Sequence, residues 1–214
     1  ERQTATAEIL KVIAISPDDV QPVFEAIASS SNRLIGGFST AVFRIFDDKL
    51  HLVAFTPTNP AADEALKASF PRPLIDMPSA APLREGAVVH TTDTEDEAQA
   101  STVVRDLARL RGYRSMLYCP LLRGGQLIGM ISVTRREPGP FAPHLVELLQ
   151  TFGDQAVIAI ENVRLFTETK ESLAQQAASA EVLQTIGESV SDTRPVFSTI
   201  LHCCERLIPS VDYV

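Results

Sequence analysis

The sequence has no tryptophan and only three cysteines, Cys119, Cys203 and Cys204, among its 214 residues. A low, odd cysteine count does not build a disulfide framework and is typical of a reducing compartment. Basic residues are also the minority, because 19 Lys and Arg stand against 27 Asp and Glu, for a formal net charge of -8. Phosphate contacts need clustered positive charge, so this balance argues against a nucleic-acid surface. We therefore expect a cytoplasmic protein with no nucleic-acid partner.

Long apolar runs and catalytic signatures are missing as well. No stretch approaches the ~20 apolar residues of a membrane span, so we expect no membrane-spanning segment in this chain. No Ser/His/Asp, paired-carboxylate or Gly-rich phosphate-binding pattern stands out, which predicts that the chain is not an enzyme. His90 is a candidate heme or metal ligand, but no second ligand accompanies it at a suitable spacing. A hydrophobic share of 45% with 21% charged residues is that of a globular protein.

An internal repeat organises the chain. Residues 1–41 align with residues 174–214 at a constant offset of 173 without gaps, and Pro22-Val23-Phe24 recurs as Pro195-Val196-Phe197. We interpret this match as a tandem duplication, in which one complete module is followed by the opening of a second. Since Glu1 follows no initiator Met, we expect the chain to be a fragment of a longer protein. The predicted organisation is a helical linker, a complete domain, a second helical linker and a truncated second domain, over residues 1–16, 17–168, 169–190 and 191–214.

In the first half, helical periodicity covers residues 1–15, and Ser16-Pro17-Asp18-Asp19 is a start signal for a second helix that ends near Gly36-Gly37. Two β-rich segments follow, joined at Asp47-Asp48. A short helix comes next, and the Pro-rich residues 70–82 predict a long loop, since proline is excluded from central strands and helix interiors. The two strands and the short helix are expected over residues 40–46, 50–56 and 61–69.

In the second half, Thr94 and Glu97 form a capping-box pattern that predicts a helix through Arg111, after a short strand over residues 88–90. Two further β-rich segments flank a tight turn and predict a hairpin over residues 113–122 and 126–135. From Phe141 an apolar pattern runs for some 40 residues without a stop signal, which favours a helical linker or coiled coil. The heptad positions of this predicted helix hold few strongly apolar residues and are rich in Ala and Gln. The helix is therefore either a signalling linker or a solvated spacer.

This element order resembles the GAF domain, a small-molecule-binding sensor module. Three stretches carry the resemblance, residues 41–46, residues 112–122 with their Pro120-Leu121 ending, and residues 125–133 with Ile128-Gly129. The resemblance covers about residues 17–168. The whole chain is similar to the tandem GAF regions found N-terminal to bacterial sensor histidine kinases and nucleotide cyclases.

The resemblance implies an α+β fold with a central antiparallel sheet. Entry and exit helices pack on one face, and loops with short helices cover the other face and enclose a ligand pocket. Because strand side chains alternate between faces, we assign Gly129 and Ile131 to the helical face, where a glycine allows close approach of the helices. Arg44 is either an anion-binding group or an arginine at the edge of the sheet whose charged end reaches the solvent. The candidate ligand-binding residues are Val42, Arg44, Phe55, His90, Val104, Leu107, Met116, Tyr118, Met130, Ser132 and Thr134.

The function that the resemblance implies is non-catalytic sensing in a two-component or related signalling protein, with the signal passing along the 141–190 helix to a downstream effector. The alternative is a structural dimerisation module whose pocket is filled by its own side chains, as Met116 and Tyr118 could do. We expect a homodimer formed through helices 1–35 and 141–190. The ligand is unknown, and no heme or covalently bound bilin is expected. Bilin-binding relatives attach their chromophore through a cysteine, and this pocket offers none at a plausible lid position. Cys119, opposite Tyr118, is expected to be a buried structural thiol.

Overall fold

The computed structural model of the protein describes residues 20–188 and Leu201. The chain divides into two compact units, residues 1–163 and residues 164–214. The predicted helix over residues 1–15 lies outside the described residues, and so does the second module apart from Leu201. The tandem duplication and the domain boundaries therefore stay predictions.

The first unit is built on a single six-stranded antiparallel sheet with the strand order β3-β2-β1-β6-β5-β4. This architecture confirms the predicted α+β fold class. A 3₁₀ turn, Leu74–Asp76, follows β3. The helices and strands in chain order are α1 (Gln21–Ile35), β1 (Ser39–Phe46), β2 (Lys49–Phe55), α2 (Pro60–Ala68), β3 (Arg72–Pro73), α3 (Ala80–Arg84), β4 (Val89–Thr91), α4 (Thr102–Arg111), β5 (Ser115–Arg123), β6 (Gln126–Arg135) and α5 (Pro143–Glu188).

Helix α1 ends where the sequence predicts and begins later. Gly36 has the left-handed φ of 62° that terminates helices, and the N–H of Gly37 donates to the carbonyl of Asn32 at 2.9 Å. The helix begins at Gln21, with Pro22 in its first turn. Proline suits this position because the first N–H groups have no partner within the helix. The predicted start signal at residues 16–19 lies outside the described residues, and the helix does not extend back to Val20.

The two long hairpins are confirmed, and their turn residues explain them. Asp47 and Asp48 join β1 to β2 with φ values of 52° and 54°, and Gly124 and Gly125 join β5 to β6 with φ values of 55° and 80°. Two consecutive residues of positive φ form the tight turn that matches the twist of paired strands. Glycine adopts this conformation freely, and aspartate tolerates it better than most residues.

Two predictions made from local signals are wrong. Thr94 does not cap a helix, because its hydroxyl donates to the carbonyl of Tyr113 at 3.4 Å, and α4 begins only at Thr102 after the N-cap Ser101. The Pro-rich stretch is not a continuous loop, since it contains β3, the 3₁₀ turn and α3. Pro82 lies in the first turn of α3 and β3 lies at the sheet edge, where the missing N–H of proline costs no hydrogen bond.

Helices α1 and α5 pack on one face of the sheet and form the main core with it. Its fully or nearly fully buried members come from both helices and from the central strands and include Val23, Phe24, Ile27, Leu117, Cys119, Leu121, Ile131, Val133, Leu149, Phe152 and Ala156. The predicted role of Gly129 is wrong, because an added Cβ would meet the carbonyl oxygen of Phe43 on β1 and not a helix. The helix approaches the sheet most closely at Gly153, where a Cβ would lie 3.4 Å from Cys119 Sγ.

The described part of the second unit is the continuation of α5 from Arg164 to Glu188, with Leu201 beyond it. Arg164 pairs with Glu168 one turn later at 2.8 Å. Several of its large apolar side chains are exposed, namely Leu165, Phe166, Leu173, Leu183 and Leu201. Pairing of this segment with a partner helix stays a prediction. Among the described residues, no helix combines the length and the apolar character needed to cross a membrane.

Candidate functional site

A cavity of about 390 Å³ lies on the face of the sheet opposite α1 and α5. Helices α2, α3 and α4 cover it, together with the segments over residues 69–79 and 98–101. Its volume is within the range of small-molecule sites. Most of the wall is apolar, and the larger apolar side chains include Phe43, Leu50, Leu66, Phe70, Met77, Leu107, Met116 and Met130.

The floor of the cavity is set by strand register. Ala41 and Phe43 on β1 lie opposite Ser132 and Met130 on β6. Residues that face one another across a pair of strands project from the same side of the sheet. On the other edge of β6, Ser132 also lies opposite Tyr118 of β5. The three central strands therefore contribute one continuous floor.

Eight of the eleven predicted site residues line this cavity, and five of the eight lie on β5 and β6, where the predictions came from strand alternation. That any of these residues contacts a ligand stays a prediction. The eight are His90, Val104, Leu107, Met116, Tyr118, Met130, Ser132 and Thr134.

The prediction for the entry strand is wrong, because Val42 and Arg44 project from the opposite face. Val42 is completely buried in the cluster formed with α1 and α5. The Arg44 guanidinium lies 5.8 Å from the centre of the Phe24 ring on α1. Ala41 and Phe43 face the cavity instead. β1 is apolar on both faces, so alternation of polar and apolar residues could not choose between them.

Phe55 does not line the cavity either. The centre of its ring is 5.8 Å from the Arg111 guanidinium and 5.9 Å from Lys67 Nζ. Arg111 itself lines the cavity. Phe55 therefore lies near a wall residue without lining the cavity.

Arg111 is held by a buried ion pair in the wall. Its Nη1 donates to Asp63 Oδ1 at 2.7 Å, and its Nη2 donates to the carbonyl of Thr56 at 3.3 Å. Asp63 also accepts hydrogen bonds from the N–H and the hydroxyl of Thr58, each at 3.1 Å. Burial raises the pKa of Asp63, but the hydrogen bonds from Thr58 and Arg111 outweigh it, so the pKa lies below its usual range. The charge of Arg111 is thus neutralised inside the wall.

Arg72 on β3 is the second arginine in the wall, and it differs from Arg111 in having no carboxylate partner. Within the part of the chain that the structure describes, its side chain makes no ion pair and no hydrogen bond. Neither arginine could be assigned to the site from the sequence. Arg72 lies in the Pro-rich stretch that was predicted as a loop, and the partner of Arg111 is far away in the sequence.

Two tyrosines add phenol groups to the cavity. Burial raises the pKa of Tyr113 to about 12. Burial also raises the pKa of Tyr118, the nearby Tyr113 adds to this effect, and the positive charge of Arg72 opposes it. Neither phenol makes a hydrogen bond to another described residue. Both groups stay protonated near neutral pH and can donate a hydrogen bond into the cavity.

His90 borders the cavity at the edge strand β4, but it lies opposite Leu117 of the main core, so its exposed side chain projects from the helical face. Its ring centre is 6.5 Å from that of Phe141, edge to face. Desolvation lowers the pKa of His90, which keeps the imidazole neutral at pH 7. Over residues 20–188, no group of three His, Cys, Asp or Glu side chains is placed to hold a metal ion.

Cys119 lies on the helical face of β5, as expected for a structural thiol. The residue is 1% exposed and packs against α5 at Gly153. Burial raises the pKa of the Cys119 thiol to about 12, and the charge of Asp154 adds to this. The prediction that this cysteine is buried opposite Tyr118 is confirmed, and its thiol does not face the cavity.

The family model described as GAF domain matches residues 17–161. A search of curated protein sequences gives no match. Among solved structures, a domain assigned to a two-component sensor histidine kinase from Sinorhizobium meliloti 1021 is similar at 17% identity and a TM-score of 0.56, over 68% of this chain and 93% of that one.

Two further structures are similar in fold. The GAF domain/HD domain protein from Geobacter sulfurreducens has 19% identity and a TM-score of 0.61, over 70% of this chain and 97% of its own. The bacteriophytochrome RpBphP3 from R. palustris has 15% identity and a TM-score of 0.67, over 96% of this chain and 45% of its own. At these identities the similarity concerns the fold alone.

Proposed function

The chain belongs to the GAF domain family, and on that basis we propose that its first unit is a non-catalytic sensory module that binds a small molecule in the cavity. The observation that carries this proposal is the cavity of about 390 Å³ beneath α2, α3 and α4. Its apolar wall with a few polar groups is typical of small-molecule sites. The protein's own side chains leave this volume open, which favours sensing over the alternative of a structural module with a self-filled pocket.

The chemistry of the wall supports binding rather than turnover. Among the described residues, no cavity-lining Ser or Thr hydroxyl has a histidine as hydrogen-bond partner, and Ser39 bonds to Thr134. The thiol of Cys119 lies on the other face of the sheet. A hydroxyl or thiol nucleophile needs an adjacent base or a lowered pKa, and neither is found around this cavity.

Strand β5 connects the proposed ligand site to the helices. Tyr118 lines the cavity from one face of β5, and the adjacent Cys119 packs against α5 from the other. A ligand that binds one arrangement of the cavity better than another shifts the population of both faces together. We propose that α5 carries this change to a downstream effector, in a cytoplasmic homodimer formed through helices 1–35 and 141–190. The kinship of this fold with a sensor histidine kinase domain fits such a role.

The test is native mass spectrometry of the purified protein exposed to a small-molecule extract, compared with a variant whose cavity is filled. Ala41→Phe adds a ring on the floor, between Ser132 and Phe55 in register, where the cavity offers space. Ala61→Phe is the matched control, because Ala61 is exposed on α2 and does not line the cavity. We expect the wild type and Ala61→Phe to retain a small molecule, and Ala41→Phe to lose it while its circular dichroism stays native. Retention by all three proteins, or by none of them, would contradict the proposal.

A further inference from the structure

Arg72 is an uncompensated positive charge in the wall of the cavity. It is placed there by β3, where its backbone pairs with Leu50 at the sheet edge. The other arginine of the wall, Arg111, has Asp63 as its partner. Asp76 also lines the cavity, but it forms no ion pair with Arg72, and no other carboxylate in the described chain does. An arginine in a cavity wall that has no carboxylate partner is available to bind a ligand anion.

Three hydroxyl groups of the cavity are available to donate hydrogen bonds. The hydroxyls of Tyr113, Tyr118 and Ser132 have no hydrogen-bond partner within the described residues, and all three line the cavity. Tyr118 and Ser132 lie opposite one another on β5 and β6. Arg72 and Tyr118 line the same cavity, and the positive charge of Arg72 opposes the rise in the pKa of Tyr118. Together they offer donors to a ligand group that only accepts, such as a carboxylate.

We propose that the ligand of this cavity is a small organic acid, in which an apolar body carries one carboxylate, and that Arg72 binds the carboxylate. This inference rests on the proposed sensory function and names the ligand class of the same site. The planar guanidinium matches a carboxylate with two parallel hydrogen bonds. The apolar body lies against side chains such as Phe43, Leu66 and Phe70.

The experiment compares an acid with its neutral isostere. The probes are 3-phenylpropanoate and 3-phenylpropanamide, which share shape and apolar surface and differ in charge, titrated into the whole 214-residue chain by isothermal calorimetry at millimolar ligand. We expect the acid to bind at least about tenfold more tightly than the amide, as for a gained charged hydrogen bond. Arg72→Gln should remove this preference. Arg84→Gln should keep it, because Arg84 is an exposed arginine on α3 that does not line the cavity.

Two further variants keep the test decisive if Arg72→Gln does not fold. Arg72→Lys retains the charge without the planar fork, so the preference for the acid should shrink and persist. Tyr118→Phe removes one hydrogen-bond donor and should lower the affinity for the acid by about 3- to 10-fold, with a smaller effect on the affinity for the amide. Circular dichroism confirms the fold of each variant.

Three outcomes would overturn the inference: equal affinity of acid and amide, an Arg72→Gln variant that keeps the preference, or no binding of the acid. Equal affinity in the cavity would leave the sensory proposal intact, because a neutral ligand would then be bound. The sensory proposal fails only when native mass spectrometry gives the result that contradicts it, so the two failures are distinguishable.

Discussion

Arg111 on α4 and Asp63 on α2 form an ion pair with a distance of 2.7 Å between Nη1 and Oδ1, and their side chains are only 3% and 12% exposed. The pair joins two of the helices that cover the cavity. It is a buried contact between distant parts of the sequence, and the carbonyl of Thr56 and the N–H of Thr58 complete its hydrogen bonding. Its loss is therefore expected to affect both stability and the shape of the cavity wall.

Removing one partner should be strongly destabilising. Arg111→Met leaves Asp63 as an uncompensated buried charge, and we expect the free energy of unfolding to fall by about 3–5 kcal/mol. Urea denaturation followed by circular dichroism measures this loss. Glu64→Gln is the control, because Glu64 pairs with Lys67 at the surface with 73% of its side chain exposed, and such pairs contribute about 0–1 kcal/mol. A loss for Arg111→Met no larger than that of the control would contradict the account.

The same pair predicts a pH dependence of stability. The pKa of Asp63 is below its ordinary value of 3.8 in the folded protein, so its stabilising effect is complete above that value. It is lost as the pH falls through the folded pKa. We expect the stability difference between the wild type and Asp63→Asn to shrink as the pH drops below 3.8. The carboxylates of Asp93 and Glu95, which are partly exposed and unchanged by the substitution, contribute equally to both proteins and cancel in this difference. A difference that stays constant down to acid unfolding would disagree with the assignment.

Two glycine-to-alanine substitutions should act in opposite directions. A Cβ at Gly129 would collide with the carbonyl oxygen of Phe43 on the neighbouring strand. Since backbone cannot move aside cheaply, Gly129→Ala should destabilise the protein by about 1–3 kcal/mol. At Gly153 in α5 the nearest atoms, on Cys119 and Leu121, are at 3.4 Å. The helix preference of alanine should make Gly153→Ala neutral or up to about 1 kcal/mol stabilising. Thermal denaturation of both variants checks the contrast, and similar effects at the two sites would refute it.

Cys119 should be inert towards thiol reagents in the folded protein. Its pKa of about 12 leaves almost no thiolate at pH 8, and the residue is 1% exposed. In a variant with Cys203→Ser and Cys204→Ser, we expect no reaction with Ellman's reagent until denaturant is added. The same variant in urea is the positive control, with one thiol released. Rapid labelling of the native variant would show that β5 or α5 opens far more readily than this packing predicts.

The elements with strong local signals could be predicted from sequence. The turn at Gly124-Gly125 and the long helix α5 are each indicated by one continuous stretch of sequence. Both predicted hairpins are confirmed. The face of β1 could not be predicted, because Ala41, Val42 and Phe43 are all apolar and either register places an apolar residue on each side. Thr94 shows the same limit, since its capping pattern competes with a tertiary hydrogen bond to Tyr113.

The electrostatic character of the candidate site was not predictable for a different reason. Asp63 and Arg111 meet only through the packing of α2 against α4, and nothing in either local sequence indicates the other. Arg72 enters the wall because a two-residue strand forms inside a Pro-rich stretch. Tyr118 and Ser132 could be predicted from the alternation of side chains between the two faces of β5 and β6, because that alternation depends only on the sequence of each strand.

All three methionines of the sequence, Met77, Met116 and Met130, line the cavity. Methyl NMR of protein labelled with ¹³C at the methionine methyl groups therefore reports directly on whether a bound small molecule occupies this site. For each compound retained in native mass spectrometry, the account predicts saturable shifts of the Met116 and Met130 methyl signals in the wild type and in Ala61→Phe, and none in Ala41→Phe. A compound that is retained while all three methyl signals stay unchanged would place binding elsewhere and contradict the central claim.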